Sequence, residues 1–242
     1  VDGLLKLHAR YGSKPLADLL KPAIEMAEQG IMIEPEQVAR FNRLAGKPGQ
    51  WVATVEKFSL GGEAFTGRER WKQPHLARTL REIAAEGRQG FYEGWVAESI
   101  AREMARGGGL MSLDDLKRYE SVWRDPIRTS YRGYDIWSMG PPSSGGILIA
   151  QILNMLEPFN LGAMGWGSAR LTHLVVEAER RAYADRSVHL GDPDFWKVPA
   201  DKLMDVKYAR ERMKDFNPER ATPSHEISAG QWADESEDTT HY

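Results

Sequence analysis

The clearest sheet-forming sequence lies in one stretch of the chain. Around residues 121–139 the residues turn β-branched or aromatic: Val122, Trp123, Ile127, Thr129, Tyr131, Tyr134, Ile136 and Trp137. They are interrupted at Asp125-Pro126 and at Arg132-Gly133, which predicts two or three strands with a hairpin turning near Arg132-Gly133. Almost everything else with a discernible period follows the helix, so the core has to be built mainly from helices.

Before that stretch, Leu4, Leu5, Leu7 and Ala9 form a short apolar segment ended by Tyr11-Gly12. Pro15 to Gly30 reads as a pair of helices separated at a Lys-Pro step, because an internal proline removes a helix donor. Pro35 to Leu44 carries Val38, Phe41 and Leu44 on one side of a further helix. From Lys47 to Lys72 aromatics alternate with Gly pairs, which predicts an irregular stretch with at most one short helix and a brief strand. Leu76, Leu80, Ile83 and Ala84 then form a stripe ending at Glu86-Gly87, and Phe91, Trp95, Val96, Ile100 and Met104 form one on the next helix. Such stripes are expected to face the core. Ser112 with Asp115 fits an N-cap and an acidic first turn, giving a helix over Leu113 to Glu120.

After the predicted hairpin, Gly140-Pro141-Pro142-Ser143-Ser144-Gly145-Gly146 leads into an apolar helix. It lacks the lysine of a phosphate loop and the glycine spacing of a dinucleotide fingerprint, so the expectation is a rigid turn, a serine N-cap and glycines that permit close packing. The longest helix follows, capped by Ser168 and reaching His189, with Leu171, Leu174, Val175, Ala178 and Ala182 as its buried stripe. Glu177, Glu179, Arg180, Arg181, Asp185 and Arg186 are placed as charge around the remainder of its surface. His173 and Glu177 share a face, but no third ligand and no two-histidine arrangement accompanies them, so no metal site is assigned. Helical pieces are expected over Pro199 to Met204 and Lys207 to Phe216. Residues 217–238 lose periodicity and read as a linker that is either mobile or ordered only by what it leans on.

Composition narrows the function classes. A net charge of -3 with scattered Lys and Arg gives no footprint for nucleic acid. The absence of cysteine excludes disulfides, thiol catalysis and Cys-ligated metals. No apolar run approaches the roughly 18–20 residues that span a bilayer. Val1-Asp2-Gly3-Leu4-Leu5 shows no initiator Met, basic region or cleavage site, so both ends are expected to be cut from a larger protein.

The last residues, Thr239-Thr240-His241-Tyr242, follow the acidic run Asp234-Glu235-Ser236-Glu237-Asp238. Cleavage of the Asp238-Thr239 bond would free an α-amino group beside the Thr239 hydroxyl. An α-amine has a pKa of roughly 7.7–8.0, so near neutral pH a useful fraction is unprotonated and can take the hydroxyl proton. Nucleophile and base would then reside on one residue.

Several stretches together resemble one family. They are Lys21-Pro22-Ala23-Ile24; Gln73-Pro74 with Leu76-Ala77; Gly90-Phe91-Tyr92; Tyr131-Arg132-Gly133-Tyr134; Pro141-Pro142-Ser143-Ser144-Gly145-Gly146; Glu177-Ala178 with Tyr183-Ala184-Asp185-Arg186; Leu190-Gly191-Asp192-Pro193; and Thr239-Thr240-His241-Tyr242. Collinear over the chain, they resemble the γ-glutamyltranspeptidase family of N-terminal nucleophile hydrolases, over most of the large subunit and the first residues of the small one. The resemblance implies an α/β (α+β), mostly helical part of a four-layer αββα sandwich, with a few strands around 121–139. It implies a single partial domain over 1–242, with 1–238 in the large subunit and 239–242 opening the small subunit.

It further implies that Thr239 is the catalytic nucleophile and that Asp238-Thr239 is the bond cut autocatalytically. The chemistry implied is transfer of a γ-glutamyl group from amides such as glutathione, through a threonine acyl-enzyme, to water or to amino acids and peptides. No cofactor and no metal are implied. The partners are γ-glutamyl substrates and the small subunit of the same precursor, with no nucleic acid and no membrane segment. Location is not legible in the residues; the resemblance implies the periplasm or the cell exterior.

The family binds the glutamate carboxylate partly through an arginine upstream of Val1, and its oxyanion donors lie beyond Tyr242. The 242-residue chain alone is therefore expected to be inactive, since loss of one oxyanion donor costs about a hundredfold or more. Alternatives are a cephalosporin acylase or polyglutamate depolymerase of the same superfamily, or a non-catalytic helical module that binds a partner chain.

Overall fold

Most of the apolar stripes at helical spacing fold as helices, in a computed structural model that describes residues 1–46 and 52–231. The described residues fall into two compact units, 1–122 and 123 onward. Among them the chain is mostly helical, with two small two-stranded antiparallel sheets.

The first unit contains α1 (Asp2–Tyr11), α2 (Leu16–Gln29), β1 (Ile31–Met32), α3 (Pro35–Ala45), α4 (Val52–Lys57), β2 (Arg70–Trp71), α5 (Pro74–Glu86), α6 (Gln89–Tyr92), α7 (Gly94–Arg106) and α8 (Leu113–Arg118). α3 starts with Pro35 in its first turn and a Glu34 N–H donating to Gln37 Oε1 at 3.0 Å, which satisfies an otherwise free donor. α8 starts as the Ser112/Asp115 pattern predicts: the Asp115 N–H donates to Ser112 Oγ (3.2 Å) and the Ser112 N–H to Asp115 Oδ2 (2.8 Å).

β1 pairs with β2, Ile31 opposite Trp71. Their junction is covered by an aromatic cluster in which the Phe41 ring centroid lies 5.0 Å from Phe58 and 4.7 Å from Trp71. Asn42 ties the neighbouring loop to α3 by two bonds to the Phe65 backbone, 2.8 and 2.9 Å.

Three sequence expectations change in this unit. Pro15 to Gly30 is not a helix pair: α2 runs through Pro22. An interior proline costs about 3 kcal/mol, and the packing of α2 on α5 offsets it, with Ala27 buried and Glu28 paired to Arg81. The helix expected to carry Phe91 to Met104 is two helices, because Glu93 lies in extended backbone between α6 and α7. The stripes are also not uniformly core. Leu4, Leu7 and Leu76 are exposed, while Asp2 is buried and Ala77 takes the inner position of α5. Small Ala77 allows α5 to approach its neighbours closely, which leaves the bulkier Leu76 outside.

The second unit contains β3 (Ile127–Tyr131), β4 (Tyr134–Ser138), α9 (Gly145–Leu156), α10 (Ala169–His189), α11 (Ala200–Leu203) and α12 (Val206–Arg212), with short 3₁₀ turns at 162–164 and 224–226. The hairpin turns at Arg132 and Gly133, as expected, both with positive φ (49° and 85°), the conformation of a two-residue turn that suits strand twist.

α9 packs on β3, α10 and α12. Met155, Leu156, Leu174, Ala178, Ala209 and Met213 form its core, each large side chain contributing about 1.5–3 kcal/mol by leaving water. A side chain at Gly146 would collide with the Met139 carbonyl and Ile127, so glycine here permits α9 to meet the hairpin. Ser144 does stand at the N-cap position, but it makes no cap bond. Its Oγ instead accepts from Arg186 Nε at 2.9 Å.

Candidate functional site

Thr239 and Asp238 lie outside the described residues. What the structure does show is the polar interior of the second unit and the segment of chain that runs through it toward them.

α10 is capped by Ser168, whose Oγ accepts from the Leu171 N–H (3.1 Å), and it runs to His189. Its buried residues include Glu177, Arg181 and Asp185, which corrects the expectation that these charges sit on its outer face. They recur every four residues, and beside them Ala178 and Ala182 are too small to fill the space that the charged side chains enter.

Two carboxylates organise the interior. Glu177 accepts from Arg181 Nη1 (2.6 Å), Arg180 Nη1 (2.7 Å), the Thr222 hydroxyl (2.7 Å) and the Thr222 N–H (3.2 Å). Burial pushes its carboxyl up, but the bonds from Arg181 and Thr222 outweigh this and hold it at about 2. Arg181 also reaches Asp215 (2.9 Å), and these two carboxylates, opposing the effect of burial, hold its guanidinium above its usual range.

One turn and more along α10, Asp185 is fully buried and accepts from Gln151 Nε2, the Tyr208 hydroxyl (2.8 Å), the Gly230 N–H (2.7 Å) and Arg212 Nη2 (3.1 Å). Burial and the bond to Asp185 push the Tyr208 phenol well above its ordinary value, so it remains a donor. Paired and fully hydrogen-bonded in this way, both carboxylates avoid the penalty of a buried lone charge.

Residues 217–231 lie along this interior. The Asn217 carbonyl accepts from His173 Nε2 (2.9 Å), Thr222 is held by Glu177, and Ser224 Oγ accepts from Arg180 (3.0 Å). The Ser228 carbonyl accepts from Arg212 (2.8 Å), and the Gly230 carbonyl accepts from His189 Nε2 (2.8 Å). His173 and Glu177 are thus engaged with different partners and do not converge on a common point. Among the described residues there is no group of three or more His, Cys, Asp or Glu able to hold a metal ion. No described helix is long and apolar enough to cross a membrane. The Gly140–Gly146 turn uses Ser143 Oγ to accept from the Gly145 N–H (3.3 Å), closing on itself rather than presenting a cradle.

Of the network residues only Glu177 is weighed for a role from the sequence, as a metal ligand with His173, and none is placed in the interior. The signal was available in the alternation Glu177, Arg181, Asp185 at four-residue spacing on the alanine face. Two stretches that carry the family resemblance, around Glu177 and around Asp185-Arg186, supply this network.

The sequence profile of the Gamma-glutamyltranspeptidase family matches residues 1–242. The chain is 42% identical over 238 residues to the glutathione hydrolase proenzyme of Escherichia coli K12, covering 96% of this chain and 40% of that protein. It is 40% identical over 241 residues to the acylase ACY 1 proenzyme of Pseudomonas sp. strain V22, covering all of this chain and 43% of that one. Its fold superposes on the crystal structure of the Helicobacter pylori gamma-glutamyltranspeptidase with a TM-score of 0.91 at 39% identity, covering 97% of this chain and 68% of that one. The chain therefore spans about two fifths of the length of these two curated relatives.

Proposed function

The chain belongs to the γ-glutamyltranspeptidase family, and from that premise we propose that it is the large-subunit part of a γ-glutamyl transferase and glutathione hydrolase whose nucleophile is Thr239. The observation that carries the proposal is the family match along the whole chain, which includes Thr239-Thr240-His241-Tyr242 after an acidic run.

The chemistry runs in two stages. In the precursor the Thr239 hydroxyl attacks the Asp238 carbonyl. The C–N bond breaks as the nitrogen takes up a proton, the acyl group moves to oxygen, and water hydrolyses the ester. This leaves an Asp238 carboxylate and a free Thr239 amine. In the matured enzyme that amine accepts the hydroxyl proton as the oxygen attacks a γ-glutamyl amide, the proton passes to the departing amine, and a γ-glutamyl ester remains on Thr239. Water or the amine of an amino acid or peptide then takes the acyl group and restores the hydroxyl. A small subunit from the same precursor completes the site, and Asp238-Thr239 marks the boundary between the two.

The test uses the full-length product of the reading frame that encodes this chain. Release of aniline from a γ-glutamyl anilide is expected from the matured enzyme, and Thr239→Ala should abolish it. Release that survives Thr239→Ala refutes the assignment. A second reading, an acylase working through the same threonine, is favoured by the 40% identity to the Pseudomonas acylase. An anilide whose acyl group lacks the glutamyl α-amino and α-carboxylate groups separates the two, because only an acylase of broader acyl preference turns it over as well as the γ-glutamyl compound.

A further inference from the structure

We infer that the second unit carries a binding site for a small monocarboxylate with an apolar body: the body lodges in a cavity beside Leu174 and Phe216, and the carboxylate pairs with Arg170 and Arg220. The site is built from described residues between 159 and 221 and does not depend on the threonine chemistry proposed above.

Two adjoining cavities make the site. One, of about 370 Å³, is lined by Phe159, Met164, Leu174, Met213 and Phe216, all members of the unit's core cluster or packed against it. Leu174 itself is only 1% exposed, so the cavity reaches the interior. Protein interiors leave few voids larger than a water, and an apolar hollow gives water too few polar partners to hold it firmly. An apolar group that enters this one leaves water for side chains it can pack on, which is favourable. The Phe159 and Phe216 rings stand edge to face with centroids 5.8 Å apart, and they offer an entering aromatic ring two walls of its own kind.

The second cavity, of about 480 Å³, shares Arg170 and Pro218 with the first and adds His173, Glu219 and Arg220. Its charges decide the ligand. Arg180, Arg181 and Arg212 of the same unit are committed to carboxylates, whereas Arg170 and Arg220 have no ion pair or hydrogen-bond partner for their guanidiniums among the described residues. His173 is engaged, its Nε2 donating to the Asn217 carbonyl at 2.9 Å, and Asn217 Oδ1 accepts from the Glu219 N–H at 2.8 Å. These bonds hold the wall from Asn217 to Glu219 in place, so the cavity is formed before a ligand arrives. Two guanidiniums against the single Glu219 carboxylate leave one net positive charge, which matches a monoanion, and a guanidinium meets a carboxylate with two parallel N–H donors.

The test titrates the full-length product of the reading frame, with isotope-labelled methionine methyls, with phenylbutyrate and with its neutral amide. The Met164 and Met213 signals should shift saturably with phenylbutyrate, at a dissociation constant of about 1 mM or below, while those of Met26 and Met32 in the first unit stay in place. The amide should bind about tenfold more weakly, because it has the same apolar body and no charge to pair. Arg170→Gln and Arg220→Gln should weaken phenylbutyrate by about tenfold and about threefold and leave the amide unchanged. Both side chains are exposed, so the melting midpoints of these variants should stay at the wild-type value. Absence of a saturable shift at Met164 and Met213, equal affinities for the acid and the amide, or wild-type affinity for the acid in Arg170→Gln would each overturn the inference.

Discussion

Both units bury carboxylates, and they use them differently. In the first, Asp2 is 2% exposed and accepts from the Ser121 N–H (2.8 Å), the Ser121 hydroxyl (2.6 Å) and Arg88 Nε (3.1 Å), with Lys6 at 3.4 Å. The Asp2 N–H in turn donates to the Tyr92 hydroxyl at 3.2 Å. One side chain thereby closes the unit, joining its first helix to the end of its chain. In the second, Asp185 joins α10 to α9 through Gln151 and to α12 through Tyr208 and Arg212, and together with Glu177 it also seats an irregular segment on α10. The same chemistry closes a unit in one place and seats that segment in the other. Asp2 and Glu177 each have a hydroxyl, a backbone amide and two cations; the difference lies in the burial of those cations, since Arg181 is buried whereas Arg88 and Lys6 are partly exposed.

Removing Arg181 is the sharpest way to break the comparison. Arg181→Ala leaves Glu177 buried with Thr222 and the partly exposed Arg180, and a broken buried pair costs about 3–5 kcal/mol. Arg88→Ala leaves Asp2 with Ser121 and Lys6, so its cost should be about 1–2 kcal/mol. Denaturant unfolding of both variants checks this, and equal losses would erase the distinction in cation burial.

Acid gives the next largest effect. The Glu177 carboxyl is held at about 2, below an ordinary 4.5, so it adds stability above pH 4.5 that is lost as the pH falls toward 2. The Asp2 carboxyl is held at about 2 from an ordinary 3.8, chiefly by the Ser121 hydroxyl and N–H, and it loses its contribution between pH 3.8 and 2. The shifts correspond to about 3 and about 2 kcal/mol. Hydrogen exchange between pH 5 and 2, resolved by unit, should show 123–231 loosening at the higher pH. Loosening of 1–122 first would reverse the ranking.

Smaller changes sharpen the contrast in kind. Ser121→Ala and Thr222→Val each remove one hydroxyl donor from a buried carboxylate, worth about 1.5 kcal/mol. Ser121→Ala should lower the stability of its whole unit, whereas Thr222→Val should speed exchange mainly in 217–231. Arg128→Ala, which breaks an exposed pair with Asp135 (2.8 Å) on the hairpin, should change stability by less than about 0.5 kcal/mol in the same unfolding experiment.

What the sequence made legible follows from the range of the interactions. The hairpin at Arg132-Gly133, the Ser112 and Ser168 caps and the extent of α10 depend on residues within a few positions of each other, and local pattern captures them. α2 running through Pro22 depends on α5, some fifty residues away, and no local rule reports it. β1 and β2 are two residues each and carry no period. The burial of Glu177, Arg181 and Asp185 escapes hydropathy altogether, because charge reads as surface unless its partners are known, and Thr222, Asp215 and Gly230 are distant in sequence. The proposal for Thr239 rests on the opposite kind of signal: the chemistry of an N-terminal threonine is contained in one residue, and the family resemblance supplies its context.

The most direct test of that assignment is the N-terminus of the smaller product when the full-length precursor matures. Terminal sequencing or intact mass should show that it begins at Thr239, and that Thr239→Ala leaves the precursor whole. A product that begins at another residue, or a catalytically competent enzyme whose 238–239 bond is intact, would contradict the account.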